Sequence, residues 1–452
     1  MSAPRTLTFF GGAATSTGSM ILLEAAGARI LLDAGLFQGN VATADALNRE
    51  LPLDPRKVDA ILLSQAGLAY SGRTPQLVRH GFDGPIYGTP ATRDTAAILL
   101  AEAAMELAAN HGEPLYGLKD VIATQQRFVG QPTHRPLHLR RNLVFEMFDA
   151  GHILGSTSIE LRTGEGGSHR IIYSGCIGRS GSALLPDPEV MPGEVDTLIL
   201  GSPFAHASHG MFADAQQQLA TIIRDTTARG GQVIIPASSL GPVQELIRTV
   251  QALWRRGQLP ELPIWIDSAT DVCLPTMMRL HPESLGIGER AYAEVGGPFD
   301  HALLHYVRND ADRMQLDGHS GPAIIIAPGE SGDTGRAAHH LRRCLGEERH
   351  TVIFLAPNEE ESVGRLLQEG ASEVTILGES VERRAGIETL TAYSGHADGE
   401  EMRTWLRALG GPIKRAFVVH GDDLAVAIMV TILREEGVRD VIVPRQGESF
   451  PF

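Results

Sequence analysis

The sequence predicts an α/β protein, and three observations carry that expectation. Short apolar runs near the N-terminus come in pairs with turn residues between them, as in antiparallel hairpins. From residue 214 onward, helical and strand patterns alternate, the rhythm of a parallel sheet covered by helices. Several predicted strands end in Gly-flanked polar residues, and loops at strand ends are where many enzymes carry their chemistry.

In chain order, residues 7–12 read as a strand running into Gly11-Gly12, and residues 20–23 and 29–33 as strands joined by an Ala26-Gly27 turn. Residues 58–62 form an apolar run that ends in the stretch 63–72, Leu-Ser-Gln-Ala-Gly-Leu-Ala-Tyr-Ser-Gly, with a helix expected just after it. That loop sits where chemistry is expected, yet it offers no carboxylate, imidazole or thiolate. A short strand at 85–88 and a long Ala- and Leu-rich helix at 92–110 follow. Strands are expected at 144–149, 158–162, 170–174 and 197–200. The alternating part has helices at 214–229, 243–256 and 334–345, with strands at 232–236, 263–267, 323–327 and 351–355. Residues 285–316 show no clear pattern. The last part has strands at 387–391 and 416–420 and helices at 399–409 and 424–436. No internal repeat or low-complexity tract interrupts the chain.

The 452 residues are 43% hydrophobic and 21% charged, an ordinary globular balance with length for two domains. A formal net charge of -15 argues against nucleic acid attracted over the whole surface. The basic clusters are only pairs, such as Arg140-Arg141 and Arg342-Arg343, and read as solvated faces. Cys176, Cys273 and Cys344 are few, dispersed and odd in number, so no disulfide framework is expected and a reducing cytoplasm fits. No signal-peptide core or membrane-length apolar run is present in the sequence, and no membrane association is expected.

Taken singly, the candidate site residues have ordinary readings. His152 and His420 each end a strand beside Gly, where a hydrogen-bonded loop histidine is the common case. His396 lies in a turn before a helix, with Asp398 placed to cap that helix. Cys176 reads as a buried thiol, and Asp33 as a turn cap or an outer carboxylate orienting a ligand. Together, three His-plus-Gly turns at strand ends suggest one polar pocket, yet they supply too few ligands for a two-metal clamp. The Gly-rich stretch 329–335 lacks a phosphate-binding lysine and reads as a plain turn; no G-x-S-x-G elbow stands out.

The ordered set of motifs is more specific than any one of them. Phe9-Phe10-Gly11-Gly12-Ala13 with Thr17-Gly18-Ser19 is followed by Leu31-Leu32-Asp33-Ala34-Gly35-Leu36-Phe37-Gln38-Gly39, and then by Asp149-Ala150-Gly151-His152-Ile153-Leu154-Gly155-Ser156. Ile235-Pro236-Ala237, Gly335-Arg336 with His339-His340, Ser394-Gly395-His396-Ala397-Asp398 and Val419-His420-Gly421 complete it. Over nearly its whole length the chain resembles the β-CASP branch of the metallo-β-lactamase superfamily, the RNA-processing nucleases. The resemblance implies an αβ/βα four-layer sandwich with an inserted β-CASP α/β domain. It divides the chain into 1–204, 205–375 and a C-terminal return at 376–452.

Active members of that family carry a His-x-His-x-Asp-His loop gripping two zinc ions. Those positions fall here on Gln65, Gly67, Ala69 and Tyr70, the bridging Asp falls on Cys176, and a further acid falls on Gly201. Asp33, His152, His396 and His420 survive. His206 and His209 lie nearby; the family already places a His at the position of His209, so only His206 departs from the pattern. The resemblance therefore implies a degenerate member: no cofactor, no confident catalytic group, and a role as an interaction subunit paired with an active paralogue or with itself. Two alternatives stand beside it. One is a hydrolase with a rebuilt site, either one zinc held by His152, His420 and Cys176 or a metal-free site using His396 as acid or base. The other is a non-hydrolytic RNA-binding module.

Overall fold

The computed structural model describes residues 5–39, 41–109, 113–182, 184–237, 241–268, 272–286, 299, 301–358 and 361–452. The chain forms two compact units. The first comprises Met1–Ser180, Leu185–Ala207 and His396–Phe452, and the second Gly181–Leu184 and Ser208–Gly395.

The first unit is built on two seven-stranded sheets. One runs in the order Ser449–Pro451, Thr6–Gly11, Met20–Ala25, Ala28–Leu32, Ala60–Leu62, Ile86–Gly88, Phe128–Gly130. The other runs Asp440–Ile442, Gly410–Val419, Gly193–Gly201, His169–Tyr173, Thr157–Thr163, Leu143–Asp149, Leu137–Arg140. Alternation along the strands decides which residues meet. Phe145 and Met147 point inward, while Val144 and Glu146 between them stay partly exposed. Leu7, Phe9, Ile21, Leu23 and Ile30 of one sheet thus form a single cluster with Phe145, Met147, Ile159, Leu161 and Phe417 of the other. Each such side chain contributes about 1.5–3 kcal/mol by leaving water. On the opposite face of the second sheet, Ile172, Leu198, Leu200 and Val418 pack on helices Gly399–Ala408 and Asp423–Glu435 through Met402, Leu406, Met429 and Leu433. Helix Pro90–Ala109 packs on strands Ile86–Gly88 and Phe128–Gly130 of the first sheet. Helices therefore flank a pair of sheets, as the resemblance implies.

The second unit holds a six-stranded parallel sheet in the order Leu304–Tyr306, Ile264–Ile266, Ala323–Ala327, Gln232–Pro236, Thr351–Phe354, Gly386–Thr389. Its connections carry helices Phe212–Ala228, Pro242–Arg255 and Gly335–Cys344. Among the described residues no helix is long and apolar enough to cross a membrane.

Three expectations need correction. The return to the first unit comes at His396, not at 376, because strand Gly386–Thr389 pairs in parallel with Thr351–Phe354 and so belongs to the second unit's sheet. The 63–72 stretch is not wholly loop: Leu68–Ser71 makes one helical turn before helix Thr74–Arg79. Helix Asp310–Gly318 and strand Leu304–Tyr306 lie in the unpatterned stretch. Residue 110, expected to end the long helix, and residues 287–298 of that stretch lie outside the described residues.

Candidate functional site

The site is assembled within the first unit from turns at the ends of strands. Asp33 follows strand Ala28–Leu32 with a left-handed φ of 59° and is fully buried. That conformation is uncommon outside Gly, Asn and Asp. Here it turns the carboxyl back onto the sheet end. Asp33 Oδ1 accepts the Ser64 N–H at 2.7 Å, and Oδ2 accepts the hydroxyls of Ser64 at 2.9 Å, Ser19 at 3.3 Å and Tyr173. Burial pushes the Asp33 pKa up, and these four hydrogen bonds pull it back only to about 7.

Ser19 links this carboxyl to His420, whose Nε2 lies 3.1 Å from Ser19 Oγ. His420 also has a left-handed φ, 52°, and its N–H donates to the Gly12 carbonyl at 2.7 Å. Its Nδ1 faces the Ser16 carbonyl at 3.3 Å, so the ring lies between a backbone acceptor and the Ser19 hydroxyl. Burial lowers its pKa to about 4, so the ring is neutral at pH 7.

The four positions that would carry the zinc-gripping loop are accounted for one by one. Gln65 is buried, and among the described residues its Nε2 finds no hydrogen-bond partner. Gly67 lies against Gln65, where an added Cβ would meet Oε1 at 3.0 Å. Ala69 contributes its carbonyl to the Ser19 N–H at 2.9 Å. Tyr70, on the one-turn helix, is hydrogen-bonded through its hydroxyl to the Cys176 thiol, and its ring lies 5.2 Å from that of His420. Burial raises the pKa of Tyr70 and pushes that of Cys176 to about 12. At Gly201, a Cβ would stand 2.7 Å from the Gly175 carbonyl oxygen, so no carboxylate fits there without moving that backbone.

His152 and His396 sit together on another side of Cys176. Their ring centroids are 4.2 Å apart, and Phe204 lies 5.0 Å from the His396 ring. Backbone contacts fix this meeting. The Gly178 N–H donates to Ala150 O at 2.7 Å and the Ala397 N–H to Ile177 O at 3.0 Å, which ties the turns bearing His152 and His396 to the one bearing Cys176. Gly178 is required by close approach, since a Cβ there would stand 1.9 Å from Gly151 O. Asp398 fulfils the capping expectation: its Oδ1 accepts the N–H groups of Glu400 and Glu401 at the start of helix Gly399–Ala408.

The structure thus gathers three of the expected residues differently from the sequence reading. One ring nitrogen of His152, one of His396 and the Cys176 Sγ lie within 4.8 Å of one another. His420, expected to join His152 and Cys176 in a rebuilt site, is turned instead toward Ser16 and Ser19. His206 stacks beside Phe204 at 6.4 Å, and His209 belongs to the second unit. Tyr173 and Ser64 are central to the Asp33 network and were not singled out from sequence. The available signal was a tyrosine at the end of a strand, after Ile171 and Ile172, since a buried phenol needs a partner. In the second unit the turn at 329–335 leads to Arg336 and His340, whose side chains hydrogen-bond the buried Asp267 at 2.7 and 2.8 Å.

These residues do not fit two zinc ions. A two-metal clamp needs bridging carboxylates. Positions 69, 176 and 201 carry none, and Asp33 is already engaged by four donors. Two imidazoles and a thiol do fit one borderline-soft metal ion.

Comparison with known proteins places this geometry in context. Residues 243–367 match the Beta-Casp domain and residues 380–444 the Zn-dependent metallo-hydrolase RNA specificity domain. The chain is 31% identical to ribonuclease TTHA0252 of Thermus thermophilus, over 98% of this chain and 99% of that one. It is 28% identical to the transcription termination factor FttA of Pyrococcus abyssi, over 93% of this chain and 68% of that one. A crystal structure of a protein of unknown function from Enterococcus faecalis covers 100% of both chains with a TM-score of 0.57 at 13% identity, a likeness of fold alone.

Proposed function

The chain belongs to the β-CASP RNA nuclease family of the metallo-β-lactamase superfamily, and from that premise we propose that it serves RNA processing without two-zinc hydrolysis. Its role in this reading is that of a noncatalytic subunit that pairs with an active relative or with itself. One observation carries the proposal: the Tyr70 hydroxyl is hydrogen-bonded to the Cys176 thiol, and Gln65 is buried, at positions where the family pattern calls for zinc ligands. Nothing there supplies the charge that two dications require. The net charge of -15 favours a protein partner over broad RNA contact. The free cysteines suit the reducing cytoplasm in which the proposal places the chain.

The test is a ribonuclease assay on the purified full chain with and without added zinc, together with copurification from its native cells. No cleavage above that of His152→Ala, plus a stoichiometric β-CASP partner or a self-dimer, is the expected result. Zinc-dependent cleavage abolished by His152→Ala overturns the proposal. That outcome supports a second reading, a single-metal ribonuclease, which the meeting of His152, Cys176 and His396 favours.

A further inference from the structure

We propose that His152, Cys176 and His396 form a site for one transition-metal ion of the zinc class, a clamp that joins three turns of the first unit. The proposal goes beyond the noncatalytic reading above and does not need the chain to be an enzyme.

The donor set is two imidazole nitrogens and one sulfur, the chemistry that zinc and cobalt(II) prefer. Tetrahedral coordination with Zn–N of about 2.0 Å and Zn–S of about 2.3 Å sets donors about 3.3–3.6 Å apart. The present separations of at most 4.8 Å close to that range with shifts of about 1 Å, within reach of side-chain rotation. The supporting backbone is already fixed. The turns carrying His152 and His396 are both hydrogen-bonded to the segment 177–178 that follows Cys176. The Arg179 guanidinium adds an ion pair at 3.3 Å to Glu401, on the helix just after His396.

Tyr70 completes the arrangement as a positioning residue. Binding converts the Cys176 thiol to a thiolate and releases its proton to solvent. The Tyr70 hydroxyl, already on that sulfur, then donates to the thiolate, the kind of outer hydrogen bond that orients a metal ligand. Three protein donors leave a fourth position for water or a partner's side chain.

The clamp has a structural consequence. Cys176 precedes the inserted second unit and His396 begins the return from it. A metal joining them closes a loop of more than two hundred residues within the first unit. Closing a long loop restricts the unfolded chain more than closing a short one.

The experiment uses the full chain carrying Cys273→Ser, which removes the one cysteine that is not buried. Metal is stripped by chelation and cobalt(II) is titrated in. The expected result is one cobalt per chain with a sulfur-to-cobalt charge-transfer band and tetrahedral visible absorption, both lost when zinc displaces the cobalt. Cys176→Ser removes the charge-transfer band, and His396→Ala, in a partly exposed turn, weakens binding at least tenfold while the far-ultraviolet circular dichroism is unchanged. Tyr70→Phe keeps the stoichiometry and shifts the charge-transfer band. No charge-transfer band, or the same band in Cys176→Ser, overturns the site; so does unchanged affinity in His396→Ala. None of these readouts involves RNA cleavage, so failure here and failure of the noncatalytic reading remain distinguishable.

Discussion

Replacing Asp33 with Asn should stabilise the first unit at pH 8 and do little at pH 4. Asp33 is fully buried, and its pKa is raised from 3.8 to about 7 in the folded chain. Below pH 3.8 both folded and unfolded chains hold the proton. Between 3.8 and 7 the unfolded chain has released it while the folded chain keeps it, so folding takes up a proton and stability falls as pH rises. Above 7 the loss is complete. A shift of roughly three units at about 1.4 kcal/mol each puts it on the order of 4 kcal/mol. Asn is a near-isostere of the protonated carboxyl and tolerates the left-handed backbone at this position. The gain of Asp33→Asn over the parent should therefore grow by about 4 kcal/mol between pH 4 and pH 8.

Urea unfolding followed by Trp405 fluorescence, in a Trp254→Phe/Trp265→Phe background, reports the first unit alone. His420 sharpens the design, because its sign is opposite. Its folded pKa is lowered from 6.5 to about 4, so the unfolded chain binds a proton in that window and the folded chain does not. Its contribution therefore rises with pH across 4 to 6.5, by about 3 kcal/mol. In the parent the two slopes nearly cancel over that window. Asp33→Asn should uncover the rising slope of His420, and His420→Gln the falling slope of Asp33. A constant difference between Asp33→Asn and the parent across pH 4–8 would refute the reasoning, since it would mean the carboxyl ionises in the folded chain as it does in the unfolded one.

Other predictions rest on separate features. Gly178→Ala forces a Cβ to within 1.9 Å of Gly151 O and should cost on the order of 3 kcal/mol, read as a lowered urea midpoint of the first unit. Ile159→Ala empties a fully buried place between the two sheets and should cost about 2–5 kcal/mol by the same assay. Asp267→Ala strands Arg336 and His340 and should destabilise the second unit by about 3 kcal/mol at pH 7. Burial raises the Asp267 pKa, but the hydrogen bonds from His340 and Arg336 outweigh it, and the net shift is downward. That contribution is present above pH 3.8 and is lost as the pH falls through the lowered folded value, so the penalty of Asp267→Ala should shrink in acid.

Most of the fold was legible because its inner strands are written in one class of residue. Residues 232–236 and 323–327 fall where expected: both runs are buried along their full length, as a central parallel strand is. Helices Val41–Arg49 and Leu118–Gln125 went unread, since neither carries a broad apolar stripe. Strand Gly386–Thr389 misled the domain division for a related reason: only Ile387 in it is apolar, and its membership in the second sheet is decided by backbone pairing. The departures from the family pattern at 65, 67, 69, 70, 176 and 201 are read directly from the sequence. The aim of His420 is not, because it depends on a left-handed φ and on Ser16 and Ser19, about four hundred positions away.

The departures from the family pattern are coupled by charge. A site that loses metal ions but keeps its acids holds several buried carboxylates together, and two such charges 4 Å apart repel by about 4 kcal/mol at an effective dielectric near 20. This chain carries no acid at positions 69, 176 and 201 and keeps one, Asp33, surrounded by three hydroxyls and an amide. Tyr70 and Cys176 pair as neutral donors and acceptors, and His420 is held neutral by burial. A single metal of the zinc class at His152, Cys176 and His396 would have one of its two charges offset by the thiolate, with no carboxylate in the set. The residues that depart from the two-zinc pattern thus leave a smaller donor set beside them.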